Sequence, residues 1–524
     1  MGHRLLITLL VLIGLHGARG QEFVQHHLPN DTVSADPPLV RALPNGDLWA
    51  AWTSQDIRTT PWTSRLHVRK LDAGGQILVS NDLRFPNPGG WLMLQGATLL
   101  PGGGLALVGY FDSKGVLIRL DAGAQLMAAT HYSMTMTEGF SDVRLRPDGS
   151  MMLVGRCRTG GDQLPWIVHT DADGGLLDAW SDRIPGMEGV LRFTKPTADG
   201  GTLMFGSHYA SVDTTGVHVV KLDSSGVMQW GRSLAARQLI PVQAVQRADG
   251  GWLVLAQQLV QTGVLSGAPV LLRIGADGTI GPNTRLWAGP PISAPHGECS
   301  LDRLPDGSLI ATTQLNGTLG TALFTLDSAG VPASAVRVVA DSALARVIKA
   351  LAMNDGDLVL TGSRTNTALG KSAGLIARWD PANSFPCGSS TMPVFTDDIV
   401  LGLDSAFVRI PLSPIVEDIT AQIVADTITW TVTDPCAIST EVGGTPDVAA
   451  GLRVFPNPAA DRVQVDGLAG LEELLLLDAQ GALVHRWSAP LPQVIELRAV
   501  PDGLYLLRAG QGAAVRTTRL VVQR

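Results

Sequence analysis

His296 and Glu298, two residues apart, are the nearest approach in this sequence to an acid–base pair, the combination that moves a proton to or from a reacting group. Trp62, His131, Tyr132, Asp162, His208 and Tyr209 offer further imidazole, aromatic and carboxylate groups for gripping a ligand. The four cysteines, Cys157, Cys299, Cys387 and Cys436, form no CxxC pair and have no histidine at finger-like spacing, which argues against a zinc site. Cys387 and Cys436 bracket one segment and are the disulfide candidates, whereas Cys157 and Cys299 read as buried small hydrophobes. Asp171-Ala172-Asp173-Gly174 supplies only two carboxylates of a calcium loop and reads as a turn. Metalloprotease histidine patterns, Gly-x-Ser-x-Gly and glycine-rich loops leading into a helix are all missing. These observations assign no catalytic residue, no metal and no cofactor.

The elements that must position such residues are repeated. A short apolar strand followed by Asp, or once by Gly275, recurs with the residue before it at Leu71, Leu120, Thr170, Leu222, Ile274, Leu326 and Trp379, spaced 49 to 53 residues apart. In phase with it run Asn45-Gly46, Gly102-Gly103, Asp148-Gly149, Asp199-Gly200, Asp249-Gly250, Asp306-Gly307 and Asp355-Gly356, the chemistry of tight hairpin turns. Each copy reads as four strands whose sheet cannot bury both faces alone, which predicts radial packing in a seven-bladed β-propeller over residues 21–385. The loops between second and third strands, and between copies, then present Trp62, His131, Tyr132, Asp162, His208, Tyr209, His296 and Glu298 at one mouth of the channel. The seventh copy runs from Trp379 into Pro381 and Pro386 without an outer strand. Residues Glu22 to Leu28 are expected to fill that gap. The repeated Asp-x-x-Gly before Trp departs from the Asp-box of sialidases, whose Asp and Gly stand two apart with an aromatic three further on. Here Asp223, Gly226 and Trp230 are three and four apart, so these residues read as turn and packing elements.

Net charge is −8, with the 39 Lys and Arg spread along the chain, so there is no electrostatic footprint for nucleic acid. Arg4, the apolar run Leu5 to Leu15, and Ala18-Arg19-Gly20 follow the order of a secretory signal peptide, which places residues 1–20 outside the mature protein. No later stretch approaches the roughly 18 to 20 apolar residues of a membrane span. From Cys387 to Cys436 the repeat is lost but alternation persists, reading as a small β appendage over residues 386–437. Residues 438–450 read as a linker.

In residues 451–524, Val454-Phe455-Pro456-Asn457-Pro458-Ala459-Ala460-Asp461 is followed by Leu475-Leu476-Leu477-Asp478-Ala479-Gln480-Gly481. Then come Gly503-Leu504-Tyr505 and Arg519-Leu520-Val521-Val522. This order resembles the type A C-terminal sorting domain of the type IX secretion system, used by bacteria of the Bacteroidetes group. The resemblance implies an immunoglobulin-like β-sandwich, and a sorting signal carried by Pro456, Asn457, Pro458, Asp461, Asp478, Gly481, Gly503, Tyr505, Arg519, Leu520, Val521 and Val522. It also implies as partners an outer-membrane translocon and its sortase-like peptidase, and a secreted or cell-surface destination.

The fold class expected is therefore all-β: a seven-bladed β-propeller, a small β appendage and a C-terminal sorting sandwich. With only 16% charged residues, the propeller reads as a noncatalytic scaffold with a glycan or protein ligand. The alternative is a secreted hydrolase or lyase acting on extracellular polysaccharide. A cluster of convergent charged groups at the channel mouth, or its absence, discriminates the two.

Overall fold

In the computed structural model the chain divides into two compact units, Met1–Cys436 and Ala437–Arg524. The structure describes residues 22–523 apart from 30–33, 57–62, 86–90, 135–137, 212–213, 236–238, 262–264, 289–298, 316–319, 339–344, 367–370, 384, 386–388, 400, 405–406, 427–429, 434–451, 469–472, 479–481 and 510–515.

Each of the first six repeat copies folds as an antiparallel meander of four strands. The fourth copy is representative: Glu188–Pro196, Thr202–Ser211, Thr214–Leu222 and Met228–Ala235 pair in that order. The recurring aspartate closes the turn before the outer strand. In Asp72, one carboxylate oxygen accepts the backbone N–H of both Gly74 and Gln76 at 2.8 Å, and Asp121, Asp171, Asp223 and Asp327 repeat the arrangement. Gly75 completes that turn at φ +85°, where a side chain is disfavoured.

Seven such sheets are present among the described residues. A sheet with two apolar faces must be covered on both. Accordingly, seven apolar clusters each join one sheet to the next: Trp49 and Phe85 of the first meet Leu107 and Phe111 of the second. The circuit closes where Val40 and Trp52 of the first sheet pack with Val359 and Ile376 of the seventh. Phe23–Pro29 supplies the outer strand of the seventh sheet, pairing antiparallel with Lys371–Trp379. Its Gln25 Nε2 donates to the Gly75 carbonyl of the first sheet at 3.0 Å, so the strand also fastens the two ends of the repeat.

The bracketed segment is β, as its alternation implies, but it is no separate appendage. Its strands pair with the seven sheets rather than with one another. Ser389–Met392 lies on the sixth sheet, Val394–Ile399 on the fifth, Gly402–Asp404 on the fourth, Val408–Pro411 on the third, Ile415–Asp418 on the second, and Val424–Asp426 on the first. Trp430–Thr433 then pairs with Phe23–Pro29 of the seventh. All seven pairings are antiparallel, and together they form a belt running around the ring against the order of the repeats. The physical reason is edge satisfaction: each outer strand exposes a row of N–H and C=O groups, and the segment that binds them moves the edge of each sheet to a strand of only three to six residues. Cys387 and Cys436, at the two ends of this segment, lie outside the described residues.

The second unit is a small sandwich. Arg453–Phe455, Arg462–Asp466 and Val494–Glu496 form one sheet; Leu483–Ser488, Glu473–Leu477, Gly503–Ala509 and Arg516–Val522 form the other. Val463, Val465 and Ile495 face Leu474, Leu476, Leu507 and Leu520 across a shared core.

Candidate functional site

The first strand of every sheet leaves one backbone edge toward the common centre. Five of these strands, in the second, third, fourth, fifth and seventh sheets, carry a register shift at the same height, and the extra residues there include Gln95, Ser141, Arg192 and Val242. Bulges re-aim side chains. A cavity of about 270 Å³ opens among them, with Arg41, Asp142, Arg192, Gln243, Ser300, Asp302 and Lys349 in its lining.

The charged residues are in phase across the copies. Seven residues before the turn glycine stand Asp142 and Lys349, with Gln243 and Ser300; five before it stand Arg41, Arg144, Lys195 and Asp302. Several of these side chains reach to the inner strand of the following sheet. Asp142 Oδ2 accepts from the Thr194 backbone N–H at 2.8 Å and its hydroxyl at 3.1 Å. Asp302 accepts from the Ala352 and Arg303 N–H groups, both at 2.9 Å. Ser300 Oγ accepts from the Ala350 N–H at 2.8 Å, and Arg41 Nε donates to the Ala97 carbonyl at 2.8 Å. Backbone groups that no strand satisfies are thus satisfied by side chains.

The carboxylates and cations of this cavity differ in what they have left to offer. Burial raises both Asp142 and Asp302 above the usual carboxylate range, against the lowering by their backbone hydrogen bonds. Burial likewise lowers Arg41 and Lys195, which sit within electrostatic reach of both carboxylates. Neither aspartate has a cation within ion-pair distance among the described residues. Arg192 donates to the Tyr209 hydroxyl at 3.3 Å, while its buried Nε has no acceptor among the described residues. Lys195 makes no side-chain hydrogen bond or ion pair among the described residues.

The residues singled out from sequence are dispersed. His131 and Tyr132 are not loop residues: they lie in Leu126–Ser133, buried beneath the belt strand Ile415–Asp418. Burial pushes His131 down to about 4, and neither ring nitrogen finds a partner among the described residues. The Tyr132 hydroxyl donates to the Gly174 carbonyl of the next sheet, and burial raises its pKa. His208 is likewise in a strand and buried, near Ser233 and stacked at 6.3 Å on His218, which desolvation drives down to about 3. Asp162 is a surface partner of Arg183 at 3.3 Å. Of the described members of this group, Tyr209 alone reaches the cavity, through Arg192. Trp62, His296 and Glu298 lie outside the described residues. Cys157 and Cys299 are free and buried, and burial pushes the Cys157 thiol up to about 12.

The structure also assembles a constellation the sequence concealed, because its members lie on three successive strands of the first sheet. Ser54 Oγ and His67 Nε2 share a hydrogen bond of 2.6 Å, and His67 Nδ1 is 2.8 Å from Asp82. This is the order of a nucleophile, base and orienting acid. Its setting is structural. The three are 2%, 0% and 5% exposed, Arg69 binds both oxygens of Asp82, and Trp52 lies against the imidazole. No substrate reaches them.

In the second unit the motif residues act on one another. Asn457 donates through Nδ2 to the Arg519 carbonyl at 2.9 Å and accepts the Val521 N–H at 2.8 Å, joining the opening motif to the last strand. The Tyr505 hydroxyl donates to the Pro501 carbonyl at 2.8 Å, and Asp478 accepts the Ala482 N–H at 2.8 Å. Leu520 and Val522 are buried and Arg519 is exposed. Gly481 lies outside the described residues.

Among solved structures, a protein of unknown function from Dyadobacter fermentans is similar at 12% identity and TM-score 0.41, over 69% of this chain and 99% of that one. The polysaccharide lyase Uly1 matches at 11% identity and TM-score 0.37, over 65% and 89%. An α-L-arabinanase of Penicillium chrysogenum complexed with arabinobiose matches at 14% and 0.36, over 68% and 97%. No curated protein matches the chain. No described helix is long and apolar enough to cross a membrane. Residues 453–523 match the secretion system C-terminal sorting domain. The chain is therefore a type IX secretion cargo, secreted or held at the cell surface, with an all-β propeller-like body ahead of its sorting domain.

Proposed function

We propose that the propeller-like body is a noncatalytic binding scaffold delivered outside the cell, with its ligand site in the cavity where the seven inner strands converge. One observation carries this reading. The two carboxylates of the cavity are held by backbone N–H groups of the neighbouring strand, while Arg41, Arg192 and Lys195 keep donors that no acceptor among the described residues fills. A catalytic carboxylate needs its oxygens on the substrate. Asp302 holds the scaffold with both oxygens and Asp142 with Oδ2. The raised carboxyls of Asp142 and Asp302 do favour the alternative, a polysaccharide hydrolase or lyase, because burial that raises a carboxyl moves it toward the range in which an acid can protonate a leaving group. A glycan array combined with a polysaccharide-degradation screen, on the chain lacking residues 1–20, separates the two. Binding without product release is expected; release of sugars that is abolished by Asp142→Asn refutes the scaffold reading.

The second unit is, in this proposal, bound by the outer-membrane translocon and cut by its sortase-like peptidase. Truncation before Arg519 removes most of the strand that Asn457 clamps, and export should cease. A truncated chain recovered in the culture medium at normal levels defeats this assignment. Cys387 and Cys436 are proposed to pair, since the belt segments they flank start on the sixth sheet and end on the adjoining seventh. Peptide mapping without reductant should find the linked peptides.

A further inference from the structure

We propose that the central cavity is a site for an oxyanion, a carboxylate or sulfate group carried by an acidic ligand. This rests on the reading of the cavity as the binding site and names the chemistry it selects.

The argument is an inventory of hydrogen-bonding capacity. A neutral sugar brings hydroxyls, which need acceptors as well as donors, and the two carboxylates of the cavity are partly engaged, Asp142 through Oδ2 and Asp302 through both oxygens. Asp142 takes two bonds from Thr194, and Asp302 takes the N–H groups of Arg303 and Ala352. The donors are in surplus. Arg41 uses Nε and one terminal nitrogen on the carbonyls of Ala97 and Val40, leaving its other terminal nitrogen without an acceptor among the described residues. Among the described residues the buried Nε of Arg192 has no acceptor and the Lys195 ammonium makes no hydrogen bond or ion pair. Guanidinium and ammonium groups carry donors only.

Charge points the same way. Arg41 and Arg192 line the cavity and Lys195 lies within electrostatic reach of it, three cations against the carboxylates Asp142 and Asp302, and among the described residues none of the three has an ion-pair partner within 4.0 Å. Partly desolvated cations without a direct ion-pair partner are costly, and an anion that enters among them forms charge-assisted hydrogen bonds of the strong class. Size restricts what enters. At about 270 Å³ the cavity falls just below the range of roughly 300–1,000 Å³ typical of drug-sized sites, so it fits a small oxyanion or one acidic sugar ring rather than an extended chain.

The test is isothermal titration calorimetry on the chain lacking residues 1–20. Three probes are used: D-galacturonate, sodium sulfate, and methyl galactoside as the uncharged control. Saturable binding of at least one anion is expected, weakened about tenfold by Lys195→Met and by Arg192→Gln, as follows from loss of one charge-assisted contact. Galacturonate binding more tightly than sulfate identifies an acidic sugar; sulfate binding as well or better identifies a free oxyanion. Both support the site. Should Lys195→Met fail to melt cooperatively, Arg192→Gln and the weakening of binding by added salt carry the decision. No binding of either anion, or binding unchanged in the variants, overturns the proposal. Methyl galactoside bound as tightly as the acid, and lost on plugging the cavity with Gln243→Trp, overturns the oxyanion inference while leaving the cavity as a binding site. Failure of every glycan and anion to bind removes the underlying reading as well.

Discussion

The inner and outer edges of the seven sheets face the same difficulty, a row of backbone N–H and C=O groups with no neighbouring strand, and they meet it differently. At the outer edge the partner is another backbone. Segments as unlike as Ser389–Met392, Gly402–Asp404 and Trp430–Thr433 pair equally well, because a ladder bond does not depend on which side chain is attached. At the inner edge the partners are side chains, and identity matters: Asp142, Ser300 and Asp302 accept N–H groups, whereas Arg41 donates to a carbonyl. The outer edge therefore places little demand on sequence and seals the ring. The inner edge is specified residue by residue, and only there can the copies differ in charge and form a site.

The sharpest way to break this comparison is to remove the belt. A chain lacking residues 389–433 exposes seven edges at once, along with the apolar groups Ile419 and Ile423 that pack into the core between the first two sheets. We expect a thermal midpoint lower by well over ten degrees, or aggregation before a transition is reached, on the grounds that unpaired edges template association. Light scattering during a thermal melt reads both. A belt-free chain that melts within a few degrees of the intact one would show that the inner packing alone holds the ring.

A single inner latch should count for far less. Asp302→Ala leaves the Ala352 N–H without its acceptor, a loss of about 1–3 kcal/mol for an unsatisfied buried donor. In a body of this size that corresponds to a midpoint lower by a few degrees. Asp302→Asn keeps an acceptor and should recover most of it. If the two variants melt alike, the latch is not a hydrogen bond to the backbone but a matter of charge.

What the sequence disclosed follows the same division. The Asp and Gly of the turns were readable because one local geometry recurs and needs those residues each time. The missing outer strand of the seventh copy was readable because a gap in a repeat is itself a signal, and Phe23–Pro29 occupies it. The belt was legible as strands but not as partners. Its alternating stretches carry exposed Val408, Ile415, Val416 and Val424, and a backbone ladder leaves no mark on side-chain type. His131, Tyr132 and His208 were misplaced because the strands run past the expected loop boundaries, which puts these residues inside the sheets. Arg41, Asp142, Lys195 and Asp302 escaped notice inside ordinary strand patterns. Aligning the copies on the turn glycine would have shown charges recurring at two fixed positions before it, the signal that could have found the cavity.

His131 gives the finest test, because it lies at the outer edge under the belt strand Ile415–Asp418, opposite Glu417. Desolvation, added to by Lys114, holds its folded pKa at about 4, against an ordinary value of 6.5. A histidine whose folded pKa is lowered stays neutral in the folded chain while the unfolded chain takes up the proton. Its contribution to stability is therefore intact above about pH 6.5 and lost as the pH falls toward about 4, the unfolded state binding more protons throughout that window. The intact chain should accordingly lose midpoint between pH 7 and pH 4.5. His131→Phe, which keeps a ring against Phe111, should lose less over the same interval, by a few degrees. The difference is expected to vanish in the belt-deleted chain if that chain retains a cooperative melt, since the imidazole is then hydrated in both states. A variant with the same acid slope as the parent would place the acid-sensitive group elsewhere, with His218 beside His208 in the fourth sheet as the next residue to change.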